Sequence, residues 1–271
     1  MVTDLSKSSS ANLSYKTFWY LSMKDYKVFV FDLFDTLINF NRSRLPEFSI
    51  EGEKHNSTFT EVYKVFEKYY QGYDRDKFHD SFVESYEKFQ QLKSIDNKEF
   101  YNGERFKILM SSLGIELSPD VDPVVDEMVK AHMKSLSSTM EFPGENRDLL
   151  ELIFDRNYRM AIISNFDYAP AAYMLLSKFD ILKYFERVVI SVEVGWRKPR
   201  PEIFLKALEL LNLDPGDALY IGDNYYADVV GAKSVGMDVV WINRNDEKIH
   251  DPKYHPDHTV SKLTEIINLI S

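Results

Sequence analysis

From Pro143 to Ile242 the chain alternates between segments spaced like amphipathic helices and short apolar runs of the length of buried strands. The helical patterns cover 147–156, 169–179, 201–212 and 225–235; the apolar runs cover 158–163, 187–192, 218–221 and 238–242. Pro201 opens the third helix and Gly236 follows the fourth, which suits the geometry of helix ends. Such alternation builds right-handed βαβ units, so the expected fold class is α/β, a Rossmann-like parallel sheet in a three-layer α/β/α core.

A further strand is expected far upstream. Val28-Phe29-Val30-Phe31 is a continuous apolar run that stops abruptly at Asp32, the pattern of a strand covered on both faces. From 41 to 138 the texture changes to aromatic and charged residues with helical periodicity, as in Phe59 to Phe66 and Phe78 to Phe89. These stripes read as packing faces of a separate all-helical module. The expected division is a flexible leader at 1–24, a core domain built from 25–40 and 139–271, and the helical module at 41–138.

Composition narrows the function. The chain carries 43 acidic against 33 basic residues, a formal charge of −10. Its Lys and Arg are not clustered, so nucleic acid is an unfavoured partner. A small phosphate can still bind if a metal or a lysine supplies a local cation. The absence of Cys excludes disulfides, thiolate zinc sites and cysteine nucleophiles. No window approaches the roughly 18 apolar residues of a membrane helix, so no membrane partner is expected. The first 22 residues lack a continuous apolar stretch followed by a small-residue cleavage site, and the expected location is cytoplasmic.

In an open α/β sheet, ligands bind beyond the carboxyl ends of the strands. The residues there are Asp32, Ser164, Asn165 and Asp223, with Lys198 in the loop before a helix. Each alone has an ordinary explanation as a turn former, cap or solvated loop charge. Together they place two carboxylates, a hydroxyl, backbone amides and an ammonium at one rim. That set contains what phosphoryl transfer requires: a nucleophile, a metal site, donors for phosphate oxygens and a charge neutraliser.

Four separated segments resemble the motifs of the haloacid dehalogenase-like hydrolases: 28–37 around Asp32, 161–167 around Ser164, 195–204 around Lys198, and 221–228 from Ile221 to Asp228. The resemblance covers about 27–40 and 140–245. The 41–138 module matches in place and helical character the cap that this family inserts after its first motif.

The resemblance implies a phosphatase for a small phosphorylated substrate. Asp32 would form an aspartyl-phosphate, and Ser164, Asn165 and the neighbouring amides would bind phosphoryl oxygens. Lys198 would spread charge in the transition state. Mg²⁺ would be held by Asp32, the Phe34 backbone carbonyl and Asp223, with Asp228 orienting its shell. Asp228 also falls at a predicted helix start, where a carboxylate complements the dipole.

One position departs from the pattern. Most phosphatases of this family have an Asp two residues after the nucleophile to protonate the leaving oxygen; here that position is Phe34, and Asp35 follows where Gly is usual. A shift of one residue should turn the Asp35 side chain elsewhere. Haloacid dehalogenases in the narrow sense also carry an aromatic there, which makes metal-free dehalogenation one alternative, although Asp223 and Asp228 have no role in it. A catalytically weak module that binds a phosphorylated ligand or protein is the other.

Overall fold

The computed structural model describes residues 25–50 and 52–269; the leader expected at 1–24 lies outside them. Strand β1 (Val28–Phe31) enters the sheet first and is followed by β2 (Asn39–Phe40). Next come a hairpin, β3 (Glu47–Ile50) with β4 (Glu53–Asn56), and four helices: α1 (Phe59–Tyr69), α2 (Arg75–Ser94), α3 (Gly103–Ser112) and α4 (Asp122–Ser138). Strand β5 (Met140–Glu141) pairs antiparallel with β2, so the chain enters and leaves the inserted segment side by side.

The rest alternates as the periodicity requires: α5 (Gly144–Asp155), β6 (Arg159–Ser164), α6 (Ala169–Lys178), β7 (Arg187–Ile190), α7 (Ser191–Val194), α8 (Pro201–Leu211) and β8 (Ala218–Gly222). A π-helical stretch (Tyr225–Val230), α9 (Gly231–Ser234), β9 (Asp238–Ile242) and β10 (His258–Val260) follow. The sheet has six parallel strands in the order β10-β9-β8-β1-β6-β7. The expected α/β/α core is therefore observed, with β1 near its centre.

Alternate residues of each strand feed opposite layers. Phe29, Phe31, Ile162 and Ile221 pack with Leu150 and Leu175 of α5 and α6. Val30, Ile163 and Tyr220 pack on the other face with Phe204 and Leu208 of α8. This two-sided burial is why β1 reads as an unbroken apolar run. The inserted helices close a third core around Phe59, Phe66, Phe78, Phe106 and Met128.

Local chemistry sets the helix ends. The Asp74 carboxylate accepts from the amides of Asp76 and Lys77, each at 2.9 Å, and starts α2. Pro201 sits in the first turn of α8, and Asn212 ends it in the left-handed conformation.

Three segments differ from the sequence-based expectation. The inserted segment is helical apart from the β3–β4 hairpin, whose outer residues are charged and which buries only Phe48. Strand β7 stops at Ile190, because the chain turns at once into α7. The single helix expected over 225–235 instead begins as the wider π-helical stretch, with its carboxylate Asp228 turned into the protein. Among the described residues no helix is long and apolar enough to cross a membrane.

Candidate active site

The carboxyl ends of β1, β6 and β8 bring the predicted residues to one place. Asp32 directly follows β1, its amide donating to Ile221 O at 2.9 Å, and its side chain is buried. Lys198 Nζ donates to Asp32 Oδ1 at 2.5 Å, to Asp228 Oδ1 at 2.6 Å and to the Tyr220 hydroxyl at 2.9 Å. One buried ammonium thus spends its three protons on two carboxylates and a phenol.

Asp228 is not a solvated helix-start carboxylate. It is buried, accepts from Lys198 and Tyr220 through Oδ1, and accepts the Asn224 amide through Oδ2 at 2.9 Å. Gly222 makes this placement possible: a Cβ there would stand 2.5 Å from Asp228 Cγ. Asp223, at the end of β8, is half-buried; Thr36 Oγ1 donates to it at 3.2 Å, and Arg244 lies 3.8 Å away. Oxygens of Asp32, Asp223 and Asp228 all lie within 4.8 Å of one another.

Burial dominates the electrostatics. It lifts the Asp32 carboxyl to about 7; Lys198 opposes the shift, while Asp228 and Asp223 add to it. Asp223 is lifted to about 6 by burial and by Asp228, against Lys198 and Arg244. For Lys198, burial disfavours the charge, but Asp228 and Asp32 outweigh it and the ammonium is held above its ordinary range. Three carboxylates answered by one contacting ammonium leave the cluster short of positive charge, and its all-oxygen donor set suits a hard divalent cation.

The Ser164 hydroxyl, at the end of β6, is fully buried and has no hydrogen-bond partner among the described residues. Such a donor is costly unless a ligand oxygen meets it. The side chain of Asn165, a residue expected at the phosphate, is bonded to the Lys198 backbone. Its Oδ1 accepts the Lys198 amide at 2.7 Å and its Nδ2 donates to the Lys198 carbonyl at 3.0 Å, so the side chain is committed to that loop.

Phe34, two residues after Asp32, packs its ring against Phe166 with the centroids 4.6 Å apart. Asp35 is exposed, its φ is 61°, and its Oδ1 accepts the Phe40 amide at 3.3 Å, while its charge still acts on Asp223. Phe34, Asp35, Asn165, Phe166 and Asp167 contribute to the core-side wall of a cavity of about 680 Å³ that the inserted segment largely encloses.

Several residues here escape the sequence. Tyr220 reads as an ordinary strand residue, yet its hydroxyl joins Lys198 to Asp228. Thr36 is one position beyond Asp35 and gives no sign that it reaches Asp223. Glu99, between α2 and α3, is buried; it pairs with Lys93 at 2.7 Å and accepts from the Ser191 hydroxyl at 2.6 Å. Ser191 Oγ in turn accepts the Phe166 amide at 2.8 Å, so the inserted segment helps hold the loop after Ser164. An acid between two helices carries no recognisable motif.

Comparison with known proteins bears on the family and the fold. A family model for haloacid dehalogenase-like hydrolases matches residues 26–236. The chain is 30% identical over 167 residues to a glyceraldehyde 3-phosphate phosphatase of Pyrococcus furiosus, covering 61% of this chain and 68% of that protein. It is 33% identical over 147 residues to the human haloacid dehalogenase-like hydrolase domain-containing protein 3, covering 52% and 57% respectively. The matches to these relatives therefore span roughly three fifths of their length. Among solved structures, a phosphatase of Thermococcus onnurineus superposes with a TM-score of 0.60 at 22% identity, covering 90% of this chain and 98% of that one, a likeness of fold.

Proposed function

Since this chain belongs to the haloacid dehalogenase-like hydrolases, we propose that it is a magnesium-dependent phosphatase of a small phosphorylated metabolite, with Asp32 as nucleophile. The observation that carries this reading is the charge imbalance at the strand ends: Asp32, Asp223 and Asp228 converge within 4.8 Å, and among the described residues Lys198 and, at 3.8 Å from Asp223, Arg244 are the cations paired with them.

Asp32, Asp223 and the Phe34 carbonyl would hold Mg²⁺, and Asp228 would orient its shell. The bound ion would supply positive charge to the carboxylates and to the phosphoryl oxygens. Asp32 attacks phosphorus with a carboxylate oxygen, the bond to the leaving oxygen breaks, and an aspartyl-phosphate forms. Water then attacks that phosphorus, releasing inorganic phosphate and restoring the carboxylate. The orphaned Ser164 hydroxyl donates to a phosphoryl oxygen, and Lys198 neutralises charge on the transferring group. Asn165 acts through Lys198, fixing its backbone from both sides. The inserted helices act as a cap that closes the cavity over Phe34 and Phe166.

Asp223 and Asp228 together argue against metal-free dehalogenation, which has no use for two further carboxylates beside the nucleophile. Release of inorganic phosphate from a phosphomonoester panel, with Mg²⁺ and with chelator, tests the proposal. Metal-dependent release is expected. Halide release from haloacids in chelator would replace it with dehalogenation, and no turnover of either kind would leave a binding module.

A further inference from the structure

The cavity that Phe34 and Asn165 line contains a cation that the proposed phosphatase chemistry does not use. Arg105, on α3, is buried at 5% exposure and lines this cavity together with Phe34 and Asn165. Its guanidinium lies over the rings of Phe82, at 4.4 Å, and of Tyr86 and Phe106, each at 5.3 Å. One terminal nitrogen donates weakly to the Phe82 carbonyl at 3.4 Å, and Nε has no partner. Among the described residues no carboxylate forms an ion pair with it. The nearby acid, Asp167, is committed to Lys93 at 3.2 Å and to Asn102 Nδ2 at 3.1 Å.

A buried guanidinium facing aromatic rings, with Asp167 as a nearby charge but no carboxylate in ion-pair contact, is costly, and rings offset only part of that cost. His132, which also lines the cavity, is held neutral by burial and by Arg105 itself, so it adds no counter-charge. A second unsatisfied atom points to the same ligand position. Asn102 Nδ2 must face Asp167, since a carboxylate only accepts; Asn102 Oδ1 is then left buried without a donor in the same cavity.

Resting on the phosphatase reading, we propose that the substrate is a phosphomonoester bearing a carboxylate, which Arg105 binds while Asn102 Oδ1 accepts a hydroxyl or ammonium proton from the same molecule. The fork of Arg105 matches a carboxylate, and the surrounding apolar walls exclude the water that would weaken the pair. The phosphate end then faces Ser164 and Asp32, past Phe34.

The test compares a phosphorylated hydroxy acid with its carboxamide, alongside an aryl phosphate and a bisphosphate lacking carboxylate. The parent protein is expected to favour the acid over the amide by about 10²-fold in kcat/KM, the size of one charge-assisted contact. Arg105→Met should collapse that ratio towards one, Arg105→Lys should restore part of it, and Lys107→Met, a cation on the same helix outside the cavity, should leave it intact. Aryl phosphate turnover without an acid-over-amide preference overturns the carboxylate while the phosphatase stands. A bisphosphate preferred over the acid also overturns it, assigning Arg105 to a second phosphate. If nothing is hydrolysed, the phosphatase reading fails, and thermal shifts with the acid and amide decide the subsite: stabilisation by the acid alone that Arg105→Met removes supports it, and equal shifts overturn it.

Discussion

Asn165 grips Lys198 at both ends of one residue, accepting its amide at 2.7 Å and donating to its carbonyl at 3.0 Å. The ammonium that bridges Asp32 and Asp228 is therefore positioned from the strand that carries Ser164. Asn165→Ala removes both bonds, worth about 1–3 kcal/mol together, and kcat/KM is expected to fall by roughly 10–100-fold. Circular dichroism should remain that of the parent; turnover within threefold of the parent would separate Asn165 from the alignment of Lys198.

Asp32→Asn keeps the shape of the side chain and loses the nucleophile. Turnover should drop by more than about 10³-fold in a protein that remains folded. Residual activity within tenfold of the parent would assign the nucleophile elsewhere.

Burial sets a pH dependence that a metal should reverse. The Asp32 carboxyl sits at about 7 and Asp223 at about 6, against about 4 in the unfolded chain. Below about pH 4 these groups are protonated in both states; between about 4 and 7 only the folded protein retains the protons. Stability of the metal-free protein should therefore decline as pH rises through that window. A divalent cation competes with the same protons, so Mg²⁺ should raise Tm more near pH 8 than near pH 5. Equal shifts at both pH values, measured by calorimetry with and without chelator, would contradict a cation site among these carboxylates.

Phe34 stands where a proton donor is missing, and Asp35 is turned towards the Phe40 amide. Substrates whose leaving oxygen needs no proton should suffer least, so aryl and acyl phosphates should turn over faster than alkyl phosphates by up to about 10²–10⁴-fold. Phe34→Asp is expected to narrow that gap by accelerating alkyl esters. An unchanged ratio in a folded Phe34→Asp protein, together with selective loss of alkyl ester turnover in Asp35→Asn, would make Asp35 the donor after all.

Tyr220→Phe keeps the ring, which packs edge-on against Phe204, and removes the hydroxyl shared by Lys198 and Asp228. A stability loss of about 1–2 kcal/mol and a roughly 5–30-fold loss in kcat are expected, read by denaturant unfolding and steady-state kinetics. No change in either would leave the phenol a packing residue.

The sheet was legible because its strands are buried on both faces and its helices on one, two periods that do not resemble each other. Asp32, Ser164 and Asp223 were legible because strand ends are where such sheets bind ligands. What stayed hidden depends on side-chain reach across the fold. Tyr220 looks like any apolar strand residue until the depth of Lys198 is known. Asn165 looks like a phosphate contact until its amide meets a loop distant in sequence. The β3–β4 hairpin carries one buried aromatic, Phe48, which is too little alternation to announce a strand pair.

The central position of β1 bears on how the molecule is assembled. Val28 is in register with Arg159 on one side and with Ala218 on the other. The strand that leads into Asp32 is thus made before both of its sheet neighbours, which follow only after the whole insertion. For an unstructured chain, closing a loop of that order costs about 4 kcal/mol in entropy. The inserted helices contact one another around an apolar core that lies almost wholly within the insertion, so they can form before the sheet closes. Once formed, they deliver Asn39–Phe40 to Met140–Glu141 and shorten the search. A cavity made in that core, as by Phe66→Ala, should therefore slow refolding of the catalytic sheet, a kinetic debt incurred far from any reacting atom.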